Sequence, residues 1–281
     1  MINEHIEIGE INTLKINRDT EPGLFLEALD GEVVLLPNAY VTDDMEVGDE
    51  IDVFVYVDSE DRDVATTEEP LGYVNEFIST RVIDTMPMGA FVDLGLKKDL
   101  FVPKNKQKTP FTSGETRIVR IVLDEKTNRL IGVEKITSFL TKEIKELKIN
   151  DEVKLLIFAK TPLGYKVIVN NSYEGLIYAN EIFTKIQVGK VTNGYVKTIR
   201  DDGKLDISLQ PIGKDNASDI NTTKILNLLK SNDGTLPYNY KTDPEVVKKV
   251  FAISKKAYKR ALTTLVNENK IIINEETISL K

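Results

Sequence analysis

Gly89-Ala90-Phe91-Val92-Asp93-Leu94-Gly95 alternates along its length. Ala90, Val92 and Leu94 fall on one side of an extended chain, Phe91 and Asp93 on the other. The first set suits a core, the second an outer face, and the flanking glycines suit bends. The same skeleton occurs three times. Gly89-Ala90-Phe91-Val92 is followed by Phe101-Val102-Pro103, Ser113-Gly114-Glu115 and Leu130. Gly23-Leu24-Phe25-Leu26 is followed by Leu35-Leu36-Pro37, Val47-Gly48-Asp49 and Val64. Gly164-Tyr165-Lys166-Val167 is followed by Leu176-Ile177-Tyr178, Val188-Gly189-Lys190 and Leu205. The landmarks are separated by 14, 11 and 16 residues in every copy, which marks an internal repeat.

Around each copy lie further runs of β-branched and aromatic residues, such as Val53–Val57, Ile118–Leu123 and Gly194–Ile199. Polar stretches such as Asp58-Ser59-Glu60-Asp61 and Asp201-Asp202-Gly203 read as turns between them. About five short strands in ~65 residues, with glycine at bends, predict a small Greek-key barrel of the OB type.

The last quarter has another period. Residues 212–219 read as a linker, and Ile220–Leu229 has helical apolar spacing, ended by Asn232-Asp233-Gly234. Asp243 is placed to cap a second helix with Pro244 at its first position. Ser254 is placed to cap a third helix reaching about Asn267, with Ala257, Tyr258, Ala261, Leu262 and Leu265 as its buried stripe. A strand pair, Ile271–Ile273 and Thr277–Leu280, closes the chain. This is winged-helix order. The expected class is mainly β with a C-terminal α+β domain: three tandem five-stranded barrels, at 1–69, 70–140 and 141–211, then a winged helix at 212–281.

Composition narrows the chemistry. The 281 residues contain no cysteine and one histidine, His5, so disulfides, a thiol nucleophile and His-rich zinc sites are excluded. A solvated terminal side chain is the expectation for His5. There is no P-loop, G-x-S-x-G or dinucleotide fingerprint, no EF-hand spacing, no signal-peptide pattern and no apolar run of membrane length. No enzyme, no metal, no cofactor and no membrane partner are expected, and the cytoplasm is the expected compartment. The net charge of −8 is unevenly spread. Residues 1–70 carry 20 acidic and 3 basic groups, whereas 71–141, 142–211 and 212–281 are net +3, +2 and +4. A polyanion is repelled by the first quarter and tolerated by the rest.

Residues 89–95 resemble the second-strand signature of S1 RNA-binding domains. Gly175-Leu176-Ile177-Tyr178-Ala179-Asn180-Glu181 is similar to the S1 stretch Gly-Leu-Leu-His-x-Ser-Glu, and Asp201–Leu209 to the S1 ending. Three such units followed by Ser254-Lys255-Lys256-Ala257-Tyr258-Lys259-Arg260-Ala261 resemble the conserved virulence factor B family of Gram-positive bacteria, over residues 5–281. That resemblance implies an RNA-binding regulator of gene expression. There are departures. The S1 histidine position holds Pro37, Pro103 and Tyr178, and the outward aromatic is Phe25, Phe91 and then Lys166, so no copy keeps both.

The candidate RNA contacts follow from residue type and from the S1 face positions that the resemblance implies. Phe91 can stack a base, and Lys104 and Arg129 can meet phosphates. In the third copy Lys166, Tyr178, Lys197, Arg200 and Lys204 gather basic groups around an aromatic, as single-stranded RNA requires. Lys255, Lys256, Lys259 and Arg260 stud the third helix and favour backbone contact over base reading. The acidic first copy, with Glu27 on the face of Phe25, reads first as a solvated acidic face, with a basic protein partner as the minority reading. The leading reading is a non-enzymatic protein that binds single-stranded RNA through barrels two and three and the winged helix, regulating expression post-transcriptionally. Its alternatives are a DNA-binding transcriptional regulator and a protein-interaction scaffold, for example on the ribosome.

Overall fold

The computed structural model describes residues 1–211 and 214–281, without the side chains of 214–219. Strands β1 (Ile11–Thr20), β2 (Gly23–Glu27), β3 (Val33–Pro37), β4 (Glu50–Val57) and β5 (Asp63–Thr66) close a barrel in the order β1-β2-β3-β5-β4. β6 (Phe77–Met86), β7 (Gly89–Val92), β8 (Leu100–Pro103), β9 (Thr116–Leu123) and β10 (Leu130–Val133) close a second in the same cyclic order. β11 (Glu152–Thr161), β12 (Gly164–Val169), β13 (Tyr173–Tyr178), β14 (Val191–Ile199) and β15 (Leu205–Ser208) close a third.

The alternation within each strand fills these barrels. Leu14, Ile16, Leu24, Leu26, Val34 and Leu36 are buried in the first, while Phe25, Leu35 and Pro37 between them face outward. The long first strand of each barrel pairs with two neighbours and curls to do so. Its register shifts between Ile16 and Arg18, between Val82 and Asp84, and between Ile157 and Ala159. A bulge at the same point in each copy supplies the extra twist that closure needs.

The landmark glycine opens the second strand for a steric reason. Gly23 and Gly164 have φ of +145° and +147°, and a Cβ there would lie 2.1 Å and 1.9 Å from the carbonyls of Leu36 and Ile177. Only glycine combines that dihedral with so close a backbone approach.

The C-terminal module contains α1 (Lys214–Lys230), β16 (Thr235–Leu236), α2 (Pro244–Phe251), α3 (Lys255–Asn267), β17 (Ile271–Ile273) and β18 (Ile278–Leu280), with sheet order β16-β18-β17. Asp243 caps α2 by accepting from the Glu245 amide, and Ser254 caps α3 by accepting from the Ala257 amide. Tyr258, Ala261, Leu262 and Leu265 form the buried stripe of α3, with Ala257 at its margin. Two details differ from expectation. Ile212 and Gly213, which begin the expected linker, lie outside the described residues, but the rest of that stretch is already helix from Lys214. Apolar periodicity locates only those turns of a helix that pack, and residues 214–219 have none. The two-residue β16 is the other difference: it is too short to show a period and exists through pairing with β18.

The chain divides into two compact units, Met1–Phe139 and Leu140–Lys281. The first holds barrels one and two, the second holds barrel three and the winged helix. Within the first unit the barrels share a joint. Phe54 of β4 is fully buried among core residues of the second barrel, and its ring lies 6.3 Å from those of Tyr56 and Tyr73. Val74 donates its amide to the Gly9 carbonyl at 2.9 Å, and Lys98 donates to the Val57 carbonyl.

Candidate nucleic-acid interface

The third barrel presents its candidates on one face. Gly164 pairs with Tyr178 and Lys166 with Leu176, so Lys166, Glu174, Leu176 and Tyr178 point the same way. Leu176 in turn sits beside Asp206 of β15. The Tyr178 hydroxyl accepts from Arg200 Nη2 at 3.0 Å, and the Lys197 ammonium stands 5.9 Å from the centre of the Tyr178 ring. Lys166, Lys204 and Arg200 border a cleft of about 440 Å³ beside Glu174 and Leu176. The structure thus brings Lys166, Tyr178, Lys197, Arg200 and Lys204 to one region of the third barrel.

Each cation also has an acid. Lys166 bridges Glu174 at 2.9 Å and Lys204 reaches the same carboxylate at 3.5 Å. Arg200 Nε donates to Asp206 at 2.8 Å, and Lys197 bridges Glu181. Four cations therefore meet three carboxylates, and the face is only weakly positive. Burial works against ionisation of Glu174, but the hydrogen bond and charge of Lys166, and then Lys204, outweigh it and hold its pKa below the usual carboxylate value. At neutral pH Glu174 is an anion that competes with phosphate for two lysines. Glu174→Gln removes this competitor, and the expected result is nucleic-acid binding several-fold tighter. A side-by-side titration of the variant and the parent protein checks it. The sign fixes the pH dependence too: protonating Glu174 as pH falls through its depressed pKa has the same effect as the substitution.

In the second barrel Phe91 faces outward, its ring 5.2 Å from that of Phe101, its cross-strand partner. Both line a cleft of about 510 Å³ with Met86, Met88 and, from the first barrel, Tyr56. Lys104 is exposed on the turn after β8. Arg129 has a different occupation from the expected phosphate contact. It bridges Asp61 at 2.6 Å and donates to the Ser59 carbonyl at 3.1 Å, tying the second barrel to the β4–β5 turn of the first. Residue type puts Arg129 on a surface; it does not show which neighbouring module covers that surface.

On the winged helix, Lys256, Lys259 and Arg260 are exposed. Lys255 is half-buried, stands over the Tyr258 ring at 5.7 Å and donates to the Thr242 carbonyl. Desolvation, then repulsion from Lys259, lowers its pKa. It is a structural cation rather than a free one. The turn between β17 and β18, the wing, carries exposed Glu275 and Glu276. Sequence reasoning missed another basic group. Lys185, from the segment after Tyr178, and Lys248 and Lys249 of α2 line an open cleft of about 440 Å³ with Ile182, Phe183, Thr184 and Glu245. The adjacent Lys248-Lys249 pair was the available signal, but nothing in the order of residues places it beside Phe183.

Among the described residues no group of three or more His, Asp or Glu side chains could hold a metal ion. No described helix is long and apolar enough to cross a membrane. His5 is exposed, 3.5 Å from Glu7.

Comparison with known proteins agrees with this architecture at both ends. Residues 8–68 match the S1 domain family, and residues 223–280 match the CvfB-like winged helix domain. Both are nucleic-acid-binding types of domain. The chain is 30% identical over 272 residues to the protein YitL of Bacillus subtilis, covering 94% of this chain and 90% of that one. It is 27% identical over 281 residues to conserved virulence factor B of Staphylococcus epidermidis, covering 96% and 93% of the two chains. It also aligns over 98% of both chains with a crystal structure of a multidomain protein with nucleic acid binding domains from Streptococcus pneumoniae, at 24% identity and a TM-score of 0.42. With three barrels and a winged helix in this order, and near-full-length similarity to YitL and to conserved virulence factor B, the chain belongs to the conserved virulence factor B family.

Proposed function

We propose that this protein binds single-stranded RNA in the cytoplasm and regulates gene expression after transcription, acting by binding and not by catalysis. The observation that carries the reading is the third-barrel face, where the Tyr178 ring stands among Lys166, Lys197, Arg200 and Lys204. Bases stack on such a ring irrespective of sequence, while the cations release counterions from the phosphate chain. Lys185, Lys248 and Lys249 extend the basic surface of the same unit to α2, beside Phe183. Phe91 and Phe101 offer a further stacking position on the second barrel, with Lys104 nearby in sequence. Lys256, Lys259 and Arg260 add backbone contacts.

The winged helix favours RNA strands over a DNA duplex. A helix in a major groove brings the wing against phosphates, and Glu275 and Glu276 oppose that. Lys255, at the start of α3, is already engaged by Thr242. The first barrel stands outside the RNA path because of its charge, and its partner is a protein.

The test is a titration of the full chain with a short unstructured RNA and with duplex DNA of equal length. Preference for the RNA is expected, and Tyr178→Ala should weaken it by about 5–150-fold, the equivalent of ~1–3 kcal/mol for one stacked base. Tighter binding of the duplex, with Tyr178→Ala silent, would overturn the reading.

A further inference from the structure

Barrels one and three share a topology, so the same face can be compared in both. In the third, the outward residues of β13 are Glu174, Leu176 and Tyr178, ringed by cations. In the first, the outward residues of β3 are Val33, Leu35 and Pro37. Their inward neighbours, Val34 and Leu36, fill the core. β3 is therefore apolar on both faces, a pattern expected of a strand covered on both sides. Its outer side is not covered: Val33 is 48% exposed.

Phe25, paired with Leu35 across the ladder, completes an apolar row. The row floors a groove of about 750 Å³ that also takes in Tyr40 and Tyr56. Asp58 and Asp63 line it, and Glu27 lies on the Phe25 side of β2. The nearby cations are already engaged. Arg62 bridges Asp58 at 2.7 Å and Glu60 at 2.9 Å. Arg18 covers the Phe25 ring at 4.5 Å, and Lys97 covers the Tyr40 ring at 4.8 Å. Arg18 and Lys97 are thus held against aromatic rings, and among the described residues Asp63 and Glu27 make no ion pair.

We propose that this groove docks a basic, extended protein segment, in which an aliphatic side chain seats on Val33, Leu35 and Pro37 and flanking arginines meet Asp63 and Glu27. The proposal rests on the reading that the first barrel does not serve RNA. Apolar contact holds the segment, and charge complementarity selects it against nucleic acid.

The experiment uses the full chain and a labelled peptide, Arg-Arg-Leu-Arg-Arg, read by fluorescence anisotropy. Saturable binding is expected. It should weaken at least tenfold when the peptide leucine becomes serine, and likewise in Val33→Lys, whose exposed position spares the fold. RNA affinity of Val33→Lys should equal that of the parent. Peptide binding insensitive to both changes would reduce the effect to diffuse attraction and overturn the groove, leaving the RNA reading intact. Loss of RNA binding in Val33→Lys would overturn both this proposal and the premise that the first barrel lies outside the RNA path. A dimer in sedimentation that Val33→Lys dissociates would identify the occupant as a second copy, and would also overturn the proposal.

Discussion

Replacing Lys185, Lys248 and Lys249 together by alanine is expected to lower affinity for single-stranded RNA about 100-fold at ~0.1 M salt. Each phosphate neutralised on a single strand contributes about 0.7 to the slope of log K against log salt, so three contacts carry about two units, or two decades at that concentration. The slope itself should become shallower by the same two units. The physical basis is availability. These three side chains are exposed around one open cleft with Glu245 as the acid on its lining. Lys166, Lys197, Arg200 and Lys204 each begin from an ion pair that RNA has to break. The same number of alanines at Lys166, Lys197 and Lys204 should therefore cost less. Titration at several salt concentrations separates the cases. An unchanged slope in the Lys185/Lys248/Lys249 variant would remove α2 from the interface.

Phe54→Ala is expected to destabilise the first unit by ~3–5 kcal/mol, the usual cost of deleting a fully buried phenylalanine. Phe54 stands on a strand of the first barrel but packs with the core of the second. Its loss opens a cavity at the joint that Tyr56 and Tyr73 only partly line. A lower urea midpoint should be accompanied by easier cleavage of the segment between the barrels. RNA affinity should persist under native conditions, because Tyr178, Lys248 and Lys249 belong to the other unit. A loss of stability under ~1 kcal/mol would show that the barrels fold without this contact.

The large features of this molecule lie open in the order of its residues. Landmarks at 14, 11 and 16 residues mark three barrels because a closed five-stranded sheet fixes where its bends fall. Gly23 and Gly164 recur because a carbonyl occupies the space of a side chain. Asp243, Pro244 and Ser254 announce helix starts because capping is a local interaction. The charge inversion of the first barrel was equally visible, being a matter of counting.

Local patterns are silent about partners brought from a distance. The S1 resemblance placed Lys166, Tyr178 and Arg200 at or beside one face. The acids that share that face, Glu174, Glu181 and Asp206, emerged only once β13, β14 and β15 closed around it. Arg129 looked free until Asp61 of the preceding barrel stood across from it. Lys248 and Lys249 became a site only when α2 packed beside Phe183 and Lys185. Backbone geometry and net charge are carried residue by residue, so the chain's order determined the architecture and the distribution of sign. Which cations remain free for a ligand depends on pairings between residues far apart in the chain, and only the tertiary fold decided those.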